Sequence, residues 1–160
     1  MAIYVKFYPE VEGDVSAEGY DKMIEFGSFQ FGAGRAIHMS TGSGKEREAT
    51  KPSLSEVTLS SEVGKHSTKL FLEACVGKSL DKVEINLVKT SADMIETYLT
   101  YTLEKPLISS YSVSSGGDNP SESVSIAYTK FEMKYFPRNP DNTLASPLTA
   151  GYNLDTGKKV

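Results

Sequence analysis

Thr41-Gly42-Ser43-Gly44-Lys45 contains the residue types that cradle a phosphate: glycines that bring backbone N–H groups close to an anion, and a lysine to meet its charge. A full phosphate loop also needs a glycine five residues before the second glycine and a Ser or Thr after the lysine. Met39 and Glu46 stand at those positions. No helical pattern follows that could aim its dipole at a phosphate, so the segment reads as a solvated loop. His38 and His66 are the only histidines. Either would need a nucleophilic serine and an acid beside it to act in a relay. Serines are abundant, but no nucleophile-elbow pattern is present. His66 therefore reads as a residue at the start of a helix. Cys75 is the single cysteine; among Phe71, Leu72 and Val76 it reads as a buried thiol acting as a small hydrophobe. One cysteine and two histidines exclude an intrachain disulfide and argue against a metal centre. The 21 acidic residues carry no pattern that sets two across a cleft. No catalytic residue, metal or cofactor is implied.

The elements that would position these residues are mostly strands. Ile3 to Tyr8 alternates, with Ile3, Val5 and Phe7 on one side. Met23 to Phe31 is a second strand, in which Phe29 and Phe31 flank Gln30 and so turn inward while Gln30 turns out. From Gly32 to Ser53 periodicity disappears among glycines and charges of both signs, and so long an irregular stretch in a compact domain is functional or disordered. Leu54 to Ser61 alternates, with Val57 and Leu59 inward. Ser67 to about Val76 has helical spacing, with Ser67 or Thr68 as N-cap and Gly77 as a left-handed C-cap.

The second half is nearly all strand. Val83, Ile85 and Leu87 alternate with Glu84 and Asn86. Ile95, Leu99, Tyr101 and Leu103 share one phase, which Leu107, Tyr111 and Val113 keep beyond a break at Pro106. Val124, Ile126 and Tyr128 fall on even positions and Phe131, Met133 and Tyr135 on odd ones. One extra residue would produce that flip, which predicts a β-bulge near Thr129-Lys130. A proline-rich tail occupies residues 137–160.

With 160 residues the chain makes one domain, residues 1–160. Its 9 Tyr and 7 Phe, with many Val, Ile and Thr, suit half-buried pleated surfaces. No apolar run approaches the roughly 20 residues that cross a bilayer. The net charge of -4 is wrong for general binding to nucleic acid, which wants a basic face. The N-terminus lacks the basic and apolar regions of a secretory signal.

The order of segments carries a family resemblance. Gly13-Asp14-Val15-Ser16 leads to Phe29-Gln30-Phe31-Gly32 and the long glycine-rich loop. Lys65-His66-Ser67-Thr68-Lys69-Leu70, Leu72-Glu73-Ala74-Cys75 and the strand Val83 to Val88 follow. Then come Leu107-Ile108-Ser109-Ser110-Tyr111, Phe131-Glu132-Met133-Lys134-Tyr135 and the closing Gly151-Tyr152-Asn153-Leu154. Over essentially its whole length this resembles the Hcp family, the haemolysin-coregulated proteins that form the inner tube of type VI secretion systems.

The resemblance implies a mainly β fold: a compact β-barrel of two packed antiparallel sheets, one flanking helix and a long projecting loop over about residues 34–51. It implies hexameric rings that stack into a tube and hold effector proteins in the lumen, with a sheath and a spike as further partners. It implies residence in the bacterial cytoplasm and then secretion without a cleaved signal. The loop residues Arg35, His38, Lys45, Glu46, Arg47, Glu48 and Lys51 become the expected ring-stacking contacts, and Gln30 the expected lumen contact. A soluble binding or chaperone module for a small protein is the alternative reading, and a minor enzyme using His38 a third.

Overall fold

The structure, a computed structural model, describes residues 1–37, 41–42, 50–77, 80–91 and 93–160. In chain order its elements are β1 (Ala2–Tyr8), β2 (Ile24–Phe26), β3 (Ser28–Gln30), β4 (Ala33–Gly34), β5 (Ser53–Leu54), β6 (Val57–Glu62), α1 (Ser67–Val76), β7 (Lys82–Ser91), β8 (Met94–Glu104), β9 (Leu107–Ser114), β10 (Ser121–Ala127), β11 (Lys130–Tyr135), β12 (Leu148–Asn153) and β13 (Lys158–Lys159). Seven strands form one sheet in the order β13-β12-β11-β8-β7-β1-β2, and four form a second in the order β3-β6-β10-β9. The small pair β4-β5 stands apart from both.

The core lies between the two large sheets. Val5, Phe7, Ile24, Phe26, Val83, Ile85 and Leu103 come from the seven-stranded sheet, and Val57, Leu59, Ile108, Val124 and Ile126 from the other. The fold is thus mainly β, with two packed antiparallel sheets and one flanking helix, as expected. The ladders do not close into one hydrogen-bonded cylinder. Instead the chain crosses from sheet to sheet. It does so at Gly27, whose N–H donates to the Ser60 carbonyl at 2.7 Å; at Lys105-Pro106; and at Tyr128-Thr129.

That last crossing corrects one expectation. Tyr128-Thr129 holds no bulge: β10 ends in the four-stranded sheet and β11 begins in the other. Reversing which sheet a strand belongs to reverses which phase points inward, so a sheet change imitates an inserted residue. The bulges lie elsewhere. Leu87 pairs with Leu99 but Val88 with Thr97, which leaves Tyr98 as the extra residue. Ile95 is thereby turned to the face opposite Leu99, against the shared phase expected of them. Likewise Ser125 pairs with Ser110 but Ile126 with Ile108, so Ser109 is extra, Ile108 turns inward and Leu107 is exposed. Met23 to Phe31 is likewise two strands, split at Gly27 between the sheets.

The helix has the expected bounds, and Gly77 closes it at φ 58°, the left-handed conformation that glycine adopts without strain. Its N-cap is His66, and no side chain caps it. Ser67 does not serve because its Oγ accepts the Gly64 N–H at 2.9 Å, behind the helix start. Leu70 is fully buried. Phe71, Leu72 and Val76 are exposed, and so is Cys75, which is not the buried thiol expected. The helix presses one residue per turn against the body and leaves the flanking apolar positions outside. The tail joins the seven-stranded sheet through β12 and β13, and Arg138 anchors its start. Its Nη1 donates to Asn142 Oδ1 at 2.7 Å and to Ser91 Oγ at 3.2 Å, and its Nη2 pairs with Glu96.

Candidate functional site

Alternation turns Phe29 and Phe31 toward the core and Gln30 outward. Phe29 stacks on Tyr101 at 4.7 Å between ring centroids, and Phe31 on Phe131 at 4.0 Å. Gln30 is exposed at the end of β3, opposite Thr58, on an edge strand.

Beyond Phe31 the chain rises into a hairpin. Ala33 pairs with Leu54 and Gly34 with Ser53. The Ala36 N–H donates to Thr50 Oγ1 at 3.0 Å, and the Thr50 N–H to the Ala36 carbonyl at 3.0 Å. The base of the loop is therefore a built two-stranded stem, although the sequence carries no strand period there. Arg35 and Lys51 are exposed on its two legs. His38, Lys45, Glu46, Arg47 and Glu48 lie outside the described residues. Gln30 belongs to a different element from this stem, so the expected site residues fall in two groups.

A third surface was not anticipated. Directly opposite residues of an antiparallel pair point to the same side. Phe131 faces Leu103 and Tyr152, and Leu103 is fully buried. Two residues on, Met133 faces Tyr101 and Ala150; two further, Tyr135 faces Leu99 and Leu148. All lie on the core-facing side. Yet Met133 is 39% exposed, Tyr135 43% and Leu148 65%. The seven-stranded sheet overhangs the four-stranded one, and its inner face runs out of the core into solvent. The odd phase of Phe131, Met133 and Tyr135 was legible in the sequence. How far the opposing sheet reaches was not.

The sequence of this chain matches the family model described as type VI secretion system effector, Hcp, over residues 4–135. The chain belongs to the Hcp family. Hcp is the structural tube protein of type VI secretion, and members of the family are secreted. The chain is similar in structure to a type six secretion system protein at 25% identity, with a TM-score of 0.90 and 99% of both chains covered. It is similar to Hcp1 from Salmonella typhimurium at 19% identity (TM-score 0.76, covering 99% of this chain and 98% of that one). A type VI secretion system effector from Yersinia pestis is similar at 17% identity (TM-score 0.75, covering 94% and 98%). None of the curated protein sequences compared with it matches significantly. No helix among the described residues of this Hcp chain is long and apolar enough to cross a membrane.

His66 is also part of a buried polar cluster, which sequence reasoning missed. Its Nε2 lies 2.5 Å from Oε1 of Glu122, a fully buried carboxylate. Glu122 also accepts the hydroxyls of Ser61 at 3.1 Å and Tyr111 at 2.7 Å. Burial first, and then the Glu122 carboxylate, push the Tyr111 phenol above its ordinary range. Serine, histidine and acid meet here, but Ser61 and Glu122 approach the same nitrogen, Nε2. A relay needs them on opposite nitrogens. The cluster satisfies a buried carboxylate instead. The signal was present, since Glu122 is in phase with the inward Val124 and Ile126.

Proposed function

We propose that this Hcp chain forms hexameric rings that stack into the inner tube of a bacterial type VI secretion system, and that it acts by assembly rather than catalysis. The observation that carries this reading is the overhang at Met133, Tyr135 and Leu148. A rigid sheet face that continues the core into solvent marks an interaction surface. A second copy that lays its own apolar side against this face makes a head-to-tail contact, and such contacts form a ring when the rotation closes. Three of the four edges of the large sheets are protected from indiscriminate pairing, since β13 carries Lys158 and Lys159 and β2 and β3 are only three residues long, while α1 lies against the fourth, β9.

Within the ring, Gln30 lines the lumen and meets effector cargo. The loop over about residues 34–51, raised on its hairpin stem, meets the next ring along the axis through Arg35, His38, Lys45, Glu46, Arg47, Glu48 and Lys51. Sheath and spike proteins are the other partners. The protein is held in the cytoplasm until firing and then leaves with the tube, without a cleaved signal. Native mass by light scattering tests the reading. A mass near six times the 17.5 kDa subunit supports it. A monomer at high concentration overturns it in favour of a soluble binding or chaperone module.

A further inference from the structure

A cavity of about 390 Å³ opens where the loop before β2, the end of β6 and the start of α1 meet. That is within the range of roughly 300–1,000 Å³ typical of small-molecule sites. His66 forms part of its wall and is only 5% exposed. The Glu122 carboxylate takes the Nε2 side of the ring, so in the neutral imidazole Nε2 carries the proton and Nδ1 the free lone pair. Nδ1 has no hydrogen-bond partner among the described residues.

Gly64 leaves that edge of the ring open. A Cβ there would lie 3.1 Å from Nδ1 and 3.3 Å from Asp14 Oδ2, so the two acceptors converge on the space that a side chain at position 64 would fill. Glu25 and Glu62 are also among the residues that line the cavity, with Val15, Phe26 and Val63 as apolar wall. The local field already draws in an ammonium: exposed Lys65 sits 3.4 Å from both Glu12 Oε1 and Asp14 Oδ1, which leaves Asp14 Oδ2 turned to the cavity.

We propose that this cavity binds a primary ammonium group on an aliphatic stem, held by His66 Nδ1 and the Asp14 carboxylate. The ammonium donates one hydrogen bond to Nδ1 and one to Asp14, Glu25 and Glu62 supply long-range attraction, and the stem lies against Val15 and Phe26. A charge-assisted bond to an acceptor already held rigid by Glu122 needs little further ordering. The group comes either from a free alkylamine or from a lysine side chain of another protein. The proposal does not rest on ring formation.

The test follows the ¹³Cε1–H resonance of His66 in the full-length protein at about pH 8, where an ordinary imidazole is neutral. The chain has two histidines, and a His38→Gln variant identifies the signal. The probes are n-butylammonium, n-butanol, and lysine blocked at its backbone amine and carboxyl groups. A saturable shift with n-butylammonium is expected, weakened about tenfold or more with butanol and with Asp14→Asn, as fits the loss of a hydrogen bond to a charged group. Gly64→Ala should abolish it by filling the space beside Nδ1. If that variant does not fold, Asp14→Asn decides, because that side chain is on the surface. Equal binding of blocked lysine supports a partner's side chain as the source, and binding of the free amine alone supports a small molecule. No saturable shift up to about 10 mM, a range that ends in very weak binding, overturns the proposal. So does butanol binding equally well, or Asp14→Asn without effect.

Discussion

Tyr135 and Leu148 lie directly opposite one another on β11 and β12, on the face that buries Phe131, yet both are exposed. Two apolar side chains in register on a rigid sheet, four residues from a buried aromatic, are where the single subunit stops covering its own core. Apolar area left in water forfeits about 25 cal/mol per Å² relative to burial. A neighbouring copy that covers this face recovers that stabilisation without any change in the subunit fold.

Leu70 is the one fully buried apolar side chain of the helix, whereas Leu72 is more than half exposed. Leu70→Ala should cost about 2–5 kcal/mol, the range of buried leucine truncations. Leu72→Ser should fall within about 0.5 kcal/mol, as for surface changes. Urea denaturation of the two variants as monomers measures both. Equal effects would mean that the helix does not pack through Leu70.

Glu122 accepts bonds from His66, Ser61 and Tyr111 while fully out of water. Removing it leaves the donors of His66, Ser61 and Tyr111 without their acceptor, at a cost of about 1–3 kcal/mol for each buried one left unsatisfied. Glu122→Ala should show a loss of that size in the denaturation midpoint. Glu122→Gln, which keeps an accepting oxygen, should lose less. A neutral Glu122→Ala would show that the cluster does not support the fold.

Much of this architecture was legible in the residues. The alternation of Val5 and Phe7, the limits of the helix and the inward Phe29 and Phe31 all follow from local period and capping, which neighbours in sequence determine. What escaped depends on distant partners. The phase change between Tyr128 and Lys130 reads the same whether a residue is inserted or the strand changes sheets. The bulges at Tyr98 and Ser109 are defined only against β7 and β10. Cys75 sits at a helical position that suits burial, but the body of the protein does not reach it. The loop residues expected to stack rings lie mostly outside the described residues, and only Arg35 and Lys51 can be set on its stem.

Tyr128 sits at a crossing between sheets, with its hydroxyl donating to the Ser55 carbonyl at 2.7 Å. Burial pushes its phenol up to about 12. The unfolded chain ionises this tyrosine near 10 and so releases a proton that the folded chain keeps. Stability is therefore full below about pH 10 and declines as pH rises from there toward about 12. Ultraviolet titration should show Tyr128 ionising last, after Tyr4, Tyr101 and Tyr111, whose phenols burial also raises, and Tyr128→Phe should shrink the late step by one tyrosine and lessen the decline. A Tyr128→Phe titration whose late step is undiminished would contradict this assignment.

The proposed stacking loop and the proposed ring surface are separate elements. The pair β4-β5 joins neither large sheet, so shortening what it carries leaves both intact. Deleting residues 42–48 should leave the ring mass unchanged and abolish longer tubes in electron micrographs. Each ion pair at such a contact contributes only about 0–1 kcal/mol, and repetition around the ring sums them. Loss of the ring, or tubes that still grow, would assign this loop to the wrong contact.

The most direct measurement is the native mass of Leu148→Asp by light scattering, beside the unmodified chain. The side chain is exposed in the subunit, so the variant keeps its fold, as circular dichroism would verify. The expected result is a fall from the ring mass to the 17.5 kDa subunit, because six buried carboxylates would have no partners across the contact. A folded Leu148→Asp that still runs at the full ring mass would mean that the overhanging face of β11 and β12 is not where subunits meet.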